Sequence, residues 1–596
     1  MKKIIILALI FASVTYLYPL HSFNARYLEL DIKYTLEKDG TQIFDYFHRV
    51  KLLNSTRGYG ESFIKYNPDF QRLEIISSET TMVDGRKVKT PDNGYNKVLP
   101  REARRFAGFS GLIEMVVSHT GIERGAEIEL RYRLITKKGF IPYFTGKEHF
   151  TKNVPVDKYT LTVELPEGEG LSYKVFNYSM KPEKKSGDGI VSYIFRKKNI
   201  AADWKNSYVK NYDRPYILFS NLKTTGKLFP EITGKDNTCK VIEDIISGIK
   251  KRGFSEEEML KILKEKIIDT LEDCHVGLKL SGFKTRSIKN IIRSGYATSC
   301  EKVIISKTVL DRLDLGNRLT SVLPGFELSD NLFSYLQSSG WIFVVDSYEG
   351  DIYVNPGKPG TDFRLTEYCG IPLVDIVTGK LLPARKCDMK ANSMILIGKV
   401  SLKDNKFSGN IRLLASGSFY SYSGFLKSKD KLYKKTVGEI FPVSKVKNIK
   451  ILRVTSGFTE MTGDVEVKPG KWEYESYLFL KSFKIPVITK NLVSRDSILY
   501  PLTIGNSFII RISISVVIPD GYSIDMIRKN EKIDNSAGIY EYLVKEGKKN
   551  HVNIDLKFGL KEGKISRKDY PALKQLVDSA LDGDFLIILK KLNKQN

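Results

Sequence analysis

Cys300 has the clearest means in this chain to do covalent chemistry. It stands in the run Thr298-Ser299-Cys300-Glu301. Thr298 and Glu301 have the spacing of a capping box, in which each side chain satisfies a free amide at a helix start. In the first turn of such a helix, unpaired N–H groups and the helix dipole favour a thiolate. A thiolate attacks amide or ester carbonyls when a base shares the thiol proton and a third group orients that base. Capping plus a small buried thiol explains Thr298, Ser299 and Cys300 equally well with no chemistry at all.

The elements that would position these residues read as two helices joined by a tight turn. The first is expected over Arg286–Arg293, with Thr285 as its N-cap and Gly295 closing it. The second carries Val303, Ile304, Val309, Leu310 and Leu313 at helical spacings and stops at Gly316. Upstream, Ser255 and Glu258 form a second capping box before another helical run. Downstream, Leu319–Leu323, Trp341–Val345 and Asp351–Val354 read as strands behind the helices.

The run SGYATSCEKVIISKTVLDRLDLG resembles the core helix of the transglutaminase-like superfamily. More specifically, it is similar to exported bacterial proteins in which such a core follows an N-terminal domain of unassigned function (DUF3857-type). The segments QRLEIISSETTMVDGRKV, TPDNGYNKVLP and MVVSHTGIERGAEIELRY fit the same family. The resemblance implies a papain-like α/β core with a cysteine nucleophile, then a histidine, then an aspartate. With Glu301-Lys302 aligned on the family's acidic-Lys pair, the nucleophile position falls on Ser299, and Cys300 lies one residue later. The histidine position falls near Gly340 or Trp341 and the aspartate position near Asn355. No histidine occurs between Cys300 and His551. Asp346 and Asp351 are nearby acids, but neither replaces an imidazole. His275 precedes Cys300 and could serve it only in the reverse chain order. The expectation is therefore a degenerate core with Ser299, Trp341 and Asn355 at the triad positions. Cys300, His275 and Ser299 are the candidates if the core is active.

At 596 residues the chain is too long for one ordinary domain. Period-2 alternation and turn signals dominate before about residue 215 and return after about residue 385, with helical patterning between. The expected fold is multidomain α+β. It comprises a signal peptide (1–22), an N-terminal β-sandwich (23–215), a connector (216–235), a transglutaminase-like α/β domain (236–384) and a C-terminal β-sandwich region (385–596). His48, His119 and His149 lie far apart in the N-terminal part and read as strand or turn residues rather than ligands.

Lys2 and Lys3 precede the short apolar run Ile4–Tyr18, as in an export signal, and fifteen residues fall short of the ~20 that span a bilayer. The chain is thus expected to be exported, periplasmic or extracellular, and not integral to the membrane; an uncleaved N-terminal anchor is the alternative. Lys and Arg number 95 against 69 acids, a formal charge of +26, which suits an anionic partner or simply decorates solvated faces. No nucleic-acid motif is present. None of the five cysteines forms a CxxC pair, so neither a zinc site nor another cofactor is expected. Cys369 with Cys387 and Cys239 with Cys274 are candidate disulfides in an oxidising compartment, with burial as free thiols the alternative.

The expected function is binding or assembly in the cell envelope, with an unidentified protein or polymer as partner. The competing expectation is a cysteine peptidase, amidase or transglutaminase acting on peptide amides through Cys300.

Overall fold

The computed structural model describes residues 23–592, apart from 204–212, 231–237, 284, 324–331, 349, 359–370, 383–387, 404–405, 420–421, 442, 456, 472–476, 490–491, 494–495, 499, 548–549 and 584. The expected signal segment, residues 1–22, lies outside that range. No helix among the described residues is long and apolar enough to cross a membrane.

The N-terminal strands are β1 (Ala25–Leu36), β2 (Gln42–Leu52), β3 (Glu61–Tyr66), β4 (Gln71–Thr81), β5 (Lys87–Lys89), β6 (Tyr95–Val98), β7 (Ile113–Ser118), β8 (Glu127–Thr136), β9 (Thr145–Glu148), β10 (Val156–Pro166), β11 (Ser172–Phe176), β12 (Glu183–Gly187), β13 (Ile190–Ile200) and β14 (Tyr216–Ser220). Eight form one sheet in the order β12-β13-β10-β1-β2-β8-β4-β5. Two three-stranded sheets, β11-β14-β9 and β3-β7-β6, pack on its inner face. Alternation explains the arrangement. Leu30 and Ile32 of β1 face inward with Leu161 and Val163 of β10, and the opposite faces carry charge. The expected connector therefore begins with a strand. Every residue of Tyr216–Ser220 is buried, because β14 is the middle strand of its small sheet.

The central part opens with α1 (Lys240–Lys250) and α2 (Glu256–Leu263). The latter starts with the Ser255–Glu258 capping box and runs into one π-helical turn, Lys264–Ile268. Then follow β15 (Glu272–Cys274), α3 (Leu278–Ser281), α4 (Ile288–Ser294), β16 (Tyr296–Thr298) and α5 (Ser299–Arg312). A five-stranded antiparallel sheet completes it, built from β17 (Asn317–Val322), β18 (Gly340–Val345), β19 (Ile352–Val354), β20 (Leu373–Asp375) and β21 (Leu381–Leu382) in the order β19-β18-β17-β20-β21. The cap of α4 is Ser287, whose hydroxyl accepts from Asn290 N–H, and not the expected Thr285. Gly295, at φ 72°, closes it in the left-handed region that glycine enters without strain.

The helix α5 is buried on nearly every side. Val303, Ile304, Val309 and Leu310 share one core with Leu319, Phe343, Val345 and Val354 of the sheet. Ser306 and Thr308 are buried too, and their hydroxyls donate back to the carbonyls of Lys302 and Ile304.

The C-terminal part has a single core between an eight-stranded sheet and a four-stranded one. Ser393–Lys403 and Phe508–Val517 lie side by side in the larger sheet. Residues Tyr422–Ile440 form a helix within the region expected to be β-rich, and a shorter helix spans Tyr570–Leu581 with proline in its first turn.

Of the two alternatives for Cys239 and Cys274, a disulfide or free thiols, the structure has the second: both are free, as is Cys300. Cys239 caps α1 on the α5 core, whereas Cys274 packs in a separate cluster with Phe106 and Leu112. Cys369 and Cys387 lie outside the described residues.

Candidate functional site at the start of the buried helix

Thr298 caps α5 as its spacing predicts. Its hydroxyl accepts from Glu301 N–H at 3.2 Å, and Glu301 Oε2 accepts from Thr298 N–H at 2.9 Å. The same carboxylate, 2 % exposed, takes two bonds from the Arg286 guanidinium, each 2.8 Å long. Arg286 in turn lies over the ring of Tyr296 at 4.3 Å. A bidentate, stacked arginine of this kind fixes the helix start rigidly.

Ser299 is exposed and Cys300 is 4 % exposed. Burial, with a smaller contribution from the neighbouring Glu301 charge, holds the Cys300 thiol well above its ordinary range. Ser299 Oγ lies 3.5 Å, and Asn355 Oδ1 3.3 Å, from the point that a Cβ on Gly357 would occupy. The structure thus brings Ser299 and Asn355 together, with Gly357 between them. Asn355 directly follows β19, whose Val354 pairs with Phe343 of β18, and its Oδ1 accepts from Gly357 N–H at 2.8 Å. Trp341 stands in β18 with its indole edge-on to Phe229 at 5.1 Å.

His275 occupies a different position. Cys274 pairs in parallel with Thr298, so His275 and Ser299 are the next residues along two adjacent strands, and both are exposed. Among the described residues, no hydrogen bond joins His275 to Ser299 or to Cys300. Asp346 and Asp351 are engaged elsewhere, both accepting from Arg318 at 3.1 Å.

Two buried lysines complete the site. Lys302 is 1 % exposed and donates to Asp273 Oδ1 at 2.5 Å, beside His275. Lys264 is 3 % exposed and donates to the carbonyls of Asn355 and Lys358, so it holds the loop that presents Asn355. Sequence spacing gave no sign of either pairing. Among the described residues, no group of three or more His, Cys, Asp or Glu could hold a metal ion. The N-terminal part also reaches this site: Gly108 N–H donates to Tyr296 Oη at 2.5 Å, and Phe106 and Leu112 pack on Cys274 and Val276.

This arrangement offers a hydroxyl, a carboxamide and an exposed imidazole at one helix start. Among the described residues, no imidazole is hydrogen-bonded to Ser299 or Cys300, the contact by which a base activates a nucleophile for acyl transfer.

Residues 38–203 match the family model of a domain of unknown function with a solved structure (DUF3857), and residues 475–588 match a second such model (DUF3858). No curated protein matches the chain. Among solved structures, one named "putative protease", from Parabacteroides distasonis, is 20 % identical with a TM-score of 0.70, and the likeness covers 95 % of this chain and 99 % of that one. At that identity the likeness shows the fold alone. An aminopeptidase A from Legionella pneumophila (10 % identity, TM-score 0.20, covering 39 % of this chain and 27 % of that one) and an M1 zinc metallopeptidase from Deinococcus radiodurans (10 %, 0.18, covering 33 % and 42 %) align too poorly to carry an argument. The chain is thus similar to DUF3857 at its N-terminal end and to DUF3858 at its C-terminal end, and it shares the overall fold of the P. distasonis structure.

Proposed function

We propose that this chain is an exported cell-envelope protein whose central part is a transglutaminase-like core used for binding or assembly, not for acyl transfer through Cys300. The observation that carries this reading is the burial of Cys300. A helix N-terminus favours an anion by about 0.3–1 kcal/mol at exposed sites, which is less than one pKa unit. Full burial opposes a thiolate by up to about 3–5 units. Burial wins, and the thiol stays protonated at neutral pH.

The missing base points the same way. The position matched to the family's histidine falls at Gly340 or Trp341; glycine has no side chain to act as base, and the indole of Trp341 packs on Phe229 and cannot move a proton. General acid–base help is worth about 10²–10⁴-fold, so even a reactive thiol here would be a poor amidase. The position matched to the aspartate carries Asn355, which supports the degenerate reading.

The test is iodoacetamide labelling of Cys300 across pH 6–10, paired with turnover of glutamine amides and peptides. Slow labelling without a neutral-pH plateau, and no turnover lost on Cys300→Ala, is the expected result. Rapid labelling near neutral pH together with turnover abolished by Cys300→Ala would establish the peptidase or transglutaminase reading instead. Fractionation of the native host should find the protein outside the cytoplasm.

A further inference from the structure

We infer that the cavity beside the β1–β2 turn of the N-terminal part is a binding site for a short peptide carrying both an ammonium and a carboxylate. Glu37 and Glu167 take the ammonium, and Lys138 takes the carboxylate. This site is separate from the start of α5 and does not depend on the reading of the central part.

The cavity measures about 530 Å³ and lies between the ends of β1 and β10 in the large sheet and the ends of β9 and β14 in a small one. That volume is within the range of small-ligand pockets. Strand pairing explains how its walls meet. β1 and β10 run in parallel with Thr35 opposite Glu164, so Glu37 and Glu167 leave neighbouring strand ends in the same direction. β2 pairs with β8, Gln42 opposite Thr136, so the β1–β2 turn stands beside the loop that carries Lys138. Gln42 fastens that loop by donating to the carbonyls of Ile141 and Tyr143 at 3.5 and 3.2 Å. The Lys138 stem crosses the turn at Gly40, where a Cβ would lie 2.9 Å from its Cδ.

The charges set this cavity apart. Along the strands, acids are matched by cations across the sheet: Glu164 by Lys33 at 2.7 Å, Asp45 by Arg133 at 2.7 Å and Glu127 by Lys51 at 3.2 Å. Glu37, Lys38, Lys138 and Glu167 instead all line one space, and none of them makes an ion pair among the described residues. Asp39, whose charge Lys138 also feels, does not line the cavity, and it accepts from Thr41 N–H at 2.7 Å. Glu169 is a third acid in the lining, held by Asn221 Nδ2 at 3.3 Å. An acid excess here, in a chain of formal charge +26, favours a ligand that brings a cation.

The ligand class follows from the walls. Carboxylates recognise an ammonium, and an ammonium a carboxylate, by charge-assisted hydrogen bonds. Leu36, Ile141, Pro142 and Pro166 line the same cavity with aliphatic surface, which suits peptide side chains. The two aromatic residues in the lining, Tyr143 and Phe144, are 5 % and 1 % exposed, so no ring face is offered for stacking on a sugar. The Lys138 loop also docks on the central part. Phe140 O accepts from Phe283 N–H at 2.8 Å, and Tyr143 Oη accepts from Tyr335 N–H at 2.9 Å. A peptide seated against this loop therefore steadies that contact as well.

The full chain should be mixed with tripeptides built only from alanine, valine and leucine, whose sole charges are the two termini. Saturation-transfer NMR and calorimetry read the binding, with N-acetylated and C-amidated forms and neutral oligosaccharides alongside. The free tripeptides should bind, about 10-fold or more weakly in the double variant Glu37→Gln, Glu167→Gln. The double variant should leave the weaker binding of the N-acetylated form unchanged, and Lys138→Gln should behave likewise toward the C-amidated form. No tripeptide binding, binding of oligosaccharides alone, or full affinity in either folded variant would overturn the proposal. Should a variant fail to fold, amide exchange of the unaltered protein decides: the free tripeptide must slow exchange over Lys138–Tyr143 and at Phe283, and unchanged exchange there overturns it.

Discussion

Lys264 Nζ donates to the backbone carbonyl of Asn355 at 3.0 Å from a side chain that is 3 % exposed. The same ammonium donates to Lys358 O at 2.7 Å and faces Asp269 at 3.6 Å. Burial lowers its affinity for the proton, yet two carbonyls and a carboxylate all favour the charged form. The bond ties a π-helical turn after α2 to the loop that presents Asn355 beside Ser299.

Lys264→Ala would leave two carbonyls and an acid without their cation. Breaking a buried charged network from one side costs about 3–5 kcal/mol. Urea unfolding should report a loss in that range, and amide exchange at Gly357 should accelerate. A loss below about 0.5 kcal/mol, the usual size for a surface change, would show that Lys264 does not hold the loop.

Arg286 gives a sharper contrast. Its two bonds to Glu301 and its stacking on Tyr296 both use a planar guanidinium. Arg286→Lys keeps the charge but loses the fork and the stack. It should therefore cost nearly as much as Arg286→Ala, about 2–4 kcal/mol. If Arg286→Lys unfolded at the same urea concentration as the unaltered protein, charge alone would explain the contact.

Much of this site was legible in local spacing. Thr298 and Glu301 are three residues apart, so their capping box needs no knowledge of the fold. Val303, Ile304, Val309 and Leu310 read as a core face, and all four are at most 1 % exposed. What escaped was long-range or rotational. Lys264 and Lys302 find partners 91 and 29 residues away, which no local pattern encodes. Which of Ser299 and Cys300 faces outward is set by how α5 packs against its sheet, with Cys300 in that core and Ser299 exposed. Thr285 and Ser287 are both good caps, and only tertiary packing chose the second. The helix Tyr422–Ile440 is rich in lysine and tyrosine, and its apolar face is too sparse to declare itself.

Val309 is 0 % exposed in the core between α5 and its sheet. Val309→Asp would bury an unpaired carboxylate there, and the expected loss is roughly 4 kcal/mol or more. Thermal unfolding followed by circular dichroism checks it. A melting temperature within a few degrees of the unaltered protein would mean that the helix end is looser than its packing indicates.

His119 makes the N-terminal part acid-sensitive in a calculable direction. Its Nε2 lies 2.9 Å from Ser62 Oγ and its Nδ1 3.2 Å from Ser78 Oγ, which itself bonds Thr90. The ring is 6 % exposed, and burial depresses its pKa from 6.5 to about 4. The unfolded chain therefore binds a proton near pH 6.5, while the folded chain binds it only near pH 4. Between these values the unfolded state holds more protons, so stability falls as pH drops through the window and levels off below it. At 1.36 kcal/mol per unit, this residue alone should remove about 3 kcal/mol between pH 7 and pH 4. His48 and His149, depressed by burial to about 3 and about 4, add to the same trend and must be separated from it. His119→Gln keeps hydrogen-bonding groups on the side chain but cannot titrate. Urea unfolding of both proteins at pH 7, 5.5 and 4.5 isolates the contribution as a difference of slopes. The variant should start less stable at pH 7 and lose less on acidification. Parallel curves for the two proteins would mean that His119 keeps its proton in the fold, with the Ser62 and Ser78 hydroxyls accepting from an imidazolium.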